Sequence, residues 1–96
     1  MKNTFDIGDF VNTLTAQSVT AALTERVKKR RKEAKLTQKA LAEKSGVSLS
    51  SLRRFETTGE IALASLLKIA GVLNCLSDFN KLFSQKIITD LKDYKV

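Results

Sequence analysis

Gly46 narrows the possible folds of this chain more than any other residue. It lies between Thr37 and Ser48, two hydroxyl residues of the kind that cap the free N–H groups at a helix start. A glycine placed there can take the left-handed conformation that ends one helix and turns the chain within three or four residues. The spacing therefore predicts a short helix from Gln38 to about Ser45, with Leu41 and Ala42 facing inward, and a second from Leu49 to about Thr57. In the second helix Leu52 and Phe55 form the buried edge and Ser51 is small enough for close approach, while Leu49, Ser50, Arg53 and Arg54 point outward. Ala42 lets the two helices come together, and Val47, Leu52 and Phe55 fix the angle between them.

The rest of the chain reads as helical too. Proline is absent, and apolar spacings of three and four recur from about residue 16 to residue 83, with little alternation of period two. A first helix is expected from about Ser18 to Ala34, with Val19, Ala22, Leu23 and Val27 on its inner side. A fourth, from about Ala62 to Leu73, is apolar on nearly every side: Leu63, Leu66, Leu67 and Ala70 form a stripe flanked by Ile69, Val72 and Leu73. Such a helix needs cover on two sides, and in a domain of this size another subunit is the expected second cover. A last short helix should run from Ser77 to Phe83, capped by Ser77. The expected organisation is an N-terminal extension over residues 1–17, a compact domain over 18–84 and a C-terminal tail over 85–96. Phe5, Ile7, Phe10, Val11 and Leu14 make the extension too apolar for a free tail, so a further helix or arm is expected there. The tail reads as a short strand or a mobile end.

Charge points to the partner. Residues 26–54 carry eleven basic and two acidic side chains, a net +9, whereas residues 1–25 are net −2 and residues 55–96 are neutral. So dense a positive block suits a polyanion, with nucleic acid the leading candidate. Part of the run has a plainer role, because cations in the last turns of the first helix complement the negative end of its dipole.

Several function classes lose support. There is no histidine, no glycine-rich phosphate loop, no Cys or Asp cluster at metal-ligand spacing and no nucleophile beside a plausible base, so no enzyme, cofactor or metal site is expected. No stretch approaches the ~18 apolar residues of a membrane span, and the N-terminus lacks a basic segment followed by an apolar one, so a cytosolic protein with no membrane partner is expected. Cys75, the single cysteine, sits in an apolar run and reads as a small core hydrophobe.

The segment from Leu36 to Glu56, with its Leu36-Thr37-Gln38, Leu41-Ala42, Gly46-Val47-Ser48 and Leu52-x-x-x-Glu56 elements, resembles the helix-turn-helix of the XRE/Cro family of bacterial and phage regulators. The resemblance covers roughly residues 20–76. It implies an all-α, five-helix, lambda-repressor-like DNA-binding domain. Carried over position by position, Leu49, Ser50 and Arg54 are the base-reading residues, with Arg53 beside them as a phosphate ligand. Gln38 would touch a phosphate and brace the recognition helix, and Ser48 would bond a phosphate or serve as a plain cap. Thr37, Lys39 and Lys35 complete the expected phosphate set, and Lys28, Lys29 and Lys32 are further candidates. Arg31 and Glu56 match a structural ion pair joining the first helix to the end of the recognition helix. The loop Thr57-Thr58-Gly59 departs from the commonest pattern by one place and is a weaker phosphate candidate; the N-terminal extension is a second departure.

Two roles fit this resemblance. One is a homodimeric repressor of a palindromic double-stranded DNA operator. The other is the DNA-binding antitoxin of a toxin–antitoxin module, closest in character to HipB-like proteins, which binds a toxin or co-antitoxin and represses its own operon. Either implies a cytoplasmic, nucleoid-associated protein of bacterial or phage origin.

Overall fold

The computed structural model describes residues 14–86. Among them are five helices and no strand: α1 (Ala16–Glu33), α2 (Gln38–Ser45), α3 (Leu49–Thr58), α4 (Leu63–Val72) and α5 (Leu76–Asn80). The expected arm over the first residues and the expected strand or mobile end over 87–96 lie outside the described residues.

Local chemistry sets most of the boundaries. The Ala40 N–H donates to Thr37 Oγ1 (3.0 Å) and the Ser51 N–H to Ser48 Oγ (3.1 Å), so both anticipated caps are formed. Gly46 ends α2 with φ +77° and Gly59 ends α3 with φ +83°, a region costly for any residue with a Cβ. The first helix starts two residues before the expected Ser18. Thr15 is its cap, and Ser18 takes the reciprocal place in a capping box: the Ser18 N–H donates to Thr15 Oγ1 (2.9 Å) and the Thr15 N–H to Ser18 Oγ (3.0 Å). The last helix is shorter than expected and begins at Leu76 after Cys75, without a side-chain cap. Ser77 lies inside it instead of opening it.

The core is built where α2, α3 and α4 meet. Leu41, Leu52, Phe55 and Ile69 are fully buried, joined by Ala42, Val47, Leu66 and Leu73. α2 packs against both α3 and α4, α1 packs against α3, and α5 closes on α4. Cys75 is half-buried against this core. Trimming any of the four fully buried side chains to alanine should cost about 2–5 kcal/mol.

The inner side of α1 differs from expectation. Leu23 and Val27 are half-buried, but Val19 (49% exposed) and Ala22 lie at the surface, and the buried residues of α1 are Thr24 and Arg31. The reason is the partner. α1 rests on the polar end of α3, where Thr20 and Thr24 pack against Gly59 and Arg31 meets Glu56. The Thr24 hydroxyl donates to the Thr20 carbonyl (2.8 Å), so its burial leaves no unmet donor. On α4 the buried stripe is Leu66, Ile69, Ala70 and Leu73, while Leu63, expected inside, is 65% exposed.

Candidate nucleic-acid interface

The geometry of the candidate interface begins with a buried clamp. Arg31 Nε donates to Glu56 Oε2 (2.8 Å) and Arg31 Nη2 to Glu56 Oε1 (2.9 Å), a two-point pair between α1 and α3. A third donor, Nη1, reaches the Leu36 carbonyl (3.0 Å), and Gln38 Nε2 at the start of α2 donates to Glu56 Oε1 (2.9 Å). One carboxylate thus ties together α1, the α1–α2 turn, α2 and α3. Both ionic residues are buried, Arg31 8% and Glu56 7% exposed. Burial by itself raises the Glu56 pKa. Hydrogen bonds from Arg31 and Gln38 and the positive charges of Arg31 and Lys28 outweigh that, leaving the carboxyl below its ordinary value. The expected ion pair and the expected bracing by Gln38 are both formed.

With α3 held this way, its polar face is turned outward. Ser50, Arg53 and Arg54 are exposed. Leu49 departs from the outward position assigned to it: it is half-buried and leans on the core, so only part of its side chain is available to a ligand. Ser51, expected at a close approach between helices, is exposed. Its Oγ accepts from the Ser48 hydroxyl (2.9 Å), which also lies 3.3 Å from Ser50 Oγ. The Ser48 side chain is therefore engaged as a cap and in a serine cluster at the front of α3.

Thr57 and Thr58, expected in the loop after α3, lie in its last turn, and only Gly59 follows as its cap. The Thr57 hydroxyl donates to the Arg53 carbonyl (2.9 Å) and the Thr58 hydroxyl to the Arg54 carbonyl (2.7 Å), so in this conformation neither has a proton left for a phosphate. Thr58 Oγ1 in turn accepts from the Glu60 N–H (3.1 Å).

Charge is distributed less simply than the +9 block implies. Arg30 Nε donates to the Leu73 carbonyl at the end of α4 (3.1 Å), a cap invisible in the sequence. Lys28 pairs with Glu25 at 3.3 Å within α1, and Arg54 pairs with Glu60. Lys29, Lys32, Lys35, Lys39, Lys44 and Arg53 are exposed and make no ion pair with another described residue. Lys35 sits in the turn after α1 with φ +60°. Thr37 is exposed, with its hydroxyl occupied as the α2 cap.

Among the described residues, no group of three or more His, Cys, Asp or Glu side chains could hold a metal ion, and no helix is long and apolar enough to cross a membrane. A family model described as helix-turn-helix matches residues 27–79, more than half of the chain. That span contains the clamp, all of α2, α3 and α4, and the last turns of α1. No curated protein and no solved structure matches the chain.

Proposed function

Because the chain belongs to the XRE-type helix-turn-helix family of DNA-binding regulatory domains, we propose that it is a sequence-specific repressor that binds a palindromic operator as a homodimer. The observation that carries this reading is the outward face of α3, which presents Ser50, Arg53 and Arg54 while the buried Glu56 is locked to Arg31 and Gln38.

A recognition helix must be rigid relative to the elements that grip the DNA backbone, since a tilt of α3 would move every base contact at once. The clamp provides that rigidity by joining α3 to the start of α2. In the proposed complex α3 enters the major groove. Arg54 offers guanine O6 and N7 two parallel N–H donors, and the exposed part of Leu49 lies against a thymine methyl. Ser50 supplies an adaptable hydroxyl. Gln38, Thr37, Lys39 and Lys35 around the start of α2, together with Ser48 and Arg53, approach phosphates and set the register. The Thr37 hydroxyl only accepts in its cap and keeps its proton for a phosphate, whereas the Ser48 hydroxyl donates to Ser51 Oγ, so a backbone N–H is the Ser48 donor to phosphate.

Dimerisation has a candidate surface in the apolar groove lined by Val19, Leu23 and Val27 of α1, Leu66 of α4, and Phe79 and Leu82 near α5. Arg26, Lys29 and Arg30 rim it. The same groove supports the second role, an antitoxin whose toxin or co-antitoxin docks there.

Selection of duplexes from a random pool tests the proposal. It should return a recurring sequence with two-fold symmetry and half-sites one helical turn apart, about 34 Å. Recovery of no preferred sequence would refute sequence-specific binding, and an asymmetric single site would refute the dimer. Co-purification with the product of an adjacent reading frame would favour the antitoxin role.

A further inference from the structure

We propose that Glu60 is a positioning residue for base reading, holding the Arg54 guanidinium so that it discriminates among base pairs instead of settling on any phosphate. This rests on the reading of Arg54 as a base contact. The observation is the ion pair between Arg54 Nη2 and Glu60 Oε1, formed across the end of α3.

An exposed ion pair is ordinarily of little consequence, but two features set this one apart. The first is that the backbone carrying Glu60 is fixed. Gly59 takes φ +83° and lies so close to α1 that a Cβ there would stand 2.6 Å from Thr20 Cγ2. Its N–H donates to the Phe55 carbonyl (2.7 Å). Thr58 Oγ1 then donates to the Arg54 carbonyl and accepts the Glu60 N–H. The carboxylate is thereby carried on a short, bonded turn whose anchor is the Arg54 backbone itself. The second feature is selectivity. Lys39, Lys44 and Arg53, the other cations of the α2–α3 segment, have no acidic partner among the described residues, whereas the one assigned to base reading does.

A guanidinium presents five N–H donors in a planar fork. Glu60 engages Nη2, which leaves other donors of the fork for guanine O6 and N7. With the carboxylate in place, a move of Arg54 onto a phosphate would break the ion pair and leave Glu60 an unpaired negative charge beside the polyanion, so binding to wrong sequences is penalised. A guanine placed correctly can be met without that loss. Glu60 thus lowers non-specific affinity and sharpens the preference at one base pair.

The test uses the full chain and its Glu60→Gln, Arg54→Ala and doubly substituted forms. Each is titrated with the selected operator, its single-base-pair variants and a random-sequence duplex of equal length. Glu60→Gln should tighten binding to the random duplex by about two- to five-fold, the size of an exposed charge interaction. Its log K against log salt slope on that duplex should steepen by roughly 0.9, one additional phosphate neutralised. Preference at the base pair that Arg54→Ala flattens should fall several-fold, and in the Arg54→Ala background Glu60→Gln should alter no base-pair preference. A merely structural role for Glu60 would move neither the slope nor the preference. If Arg54→Ala flattens one base pair and Glu60→Gln leaves that preference intact, the proposal is overturned while the reading of Arg54 stands. If Arg54→Ala flattens none, that reading fails and the proposal falls with it.

Discussion

Replacing Glu56 by glutamine removes the charge at the centre of the clamp while keeping its shape. In the native protein this carboxylate accepts three hydrogen bonds, two from Arg31 and one from Gln38. A glutamine can accept with one oxygen only, and it turns an NH2 group toward the Arg31 donors. Arg31, 8% exposed, would keep the Leu36 carbonyl but lose its counter-charge. Removing one partner of a buried pair typically costs about 3–5 kcal/mol, and the surviving hydrogen bonds place the loss near the lower end, about 3 kcal/mol. For a domain of this size each kcal/mol lowers Tm by roughly 4–8 °C, so the midpoint should fall by about 12–24 °C. With no tryptophan in the chain, helix content by circular dichroism is the probe, followed through a urea titration whose slope should stay unchanged if only stability is affected. The double replacement Arg31→Met with Glu56→Leu should recover most of the loss, because an apolar pair leaves no uncompensated charge. A loss below about 1 kcal/mol for Glu56→Gln, set against that 3–5 range, or a double variant no more stable than the single one, would refute the clamp as the strut between α1 and α3.

Acid should act on the same group. Glu56 has a lowered folded-state pKa, so its contribution is complete above the ordinary carboxyl range and is lost as pH falls through that lowered value. The stability gap between the native chain and Glu56→Gln should therefore narrow on acidification, and a constant gap from neutral pH down to pH ~3, well into the range where carboxylates protonate, would contradict it. Gly46 and Gly59 share a left-handed backbone but differ in surroundings: a Cβ at Gly46 meets nothing within 4 Å, whereas at Gly59 it meets Thr20 Cγ2. Gly46→Ala should thus cost about 1 kcal/mol and Gly59→Ala at least twice that, with Thr20→Ala restoring the difference; equal losses in denaturant titrations would show that Gly59 is not wedged against α1. In DNA titrations, Arg53→Ala should weaken operator and random duplex alike and reduce the salt slope by about 1, as a phosphate ligand must; loss confined to the operator would make Arg53 a base contact.

The caps of α2 and α3 and the glycine between them were legible in the sequence, whereas the Thr15 cap of α1 and the uncapped start of α5, equally local, were not. Thr37, Gly46 and Ser48 work through bonds to their own turn, and each is found in the anticipated role. The Arg31–Glu56 pair was legible only through the family resemblance, since nothing local links residues 25 apart. Hydropathy misplaced the inner side of α1 because that side is defined by a polar partner. It buries Thr24 and Arg31 against the end of α3 and leaves Val19 outside. Leu49 looked like a surface residue from its position on α3, yet its length lets it reach the core. The partners of Arg54 and Arg30 were hidden for a similar reason. Glu60 lies six residues on across a glycine turn, and the Leu73 carbonyl is brought to Arg30 only by packing of α1 near the end of α4.

The central claim is that α3 reads bases from the major groove with Arg54, and chemical probing of guanine N7 tests it most directly. In duplex DNA, dimethyl sulfate attacks guanine N7 in the major groove and adenine N3 in the minor groove. With the selected operator, the native chain should protect guanine N7 in each half-site, and Arg54→Ala should make one guanine in each half-site reactive again while the others stay protected. Protection confined to adenine N3, or a pattern that Arg54→Ala leaves unchanged, would contradict the account.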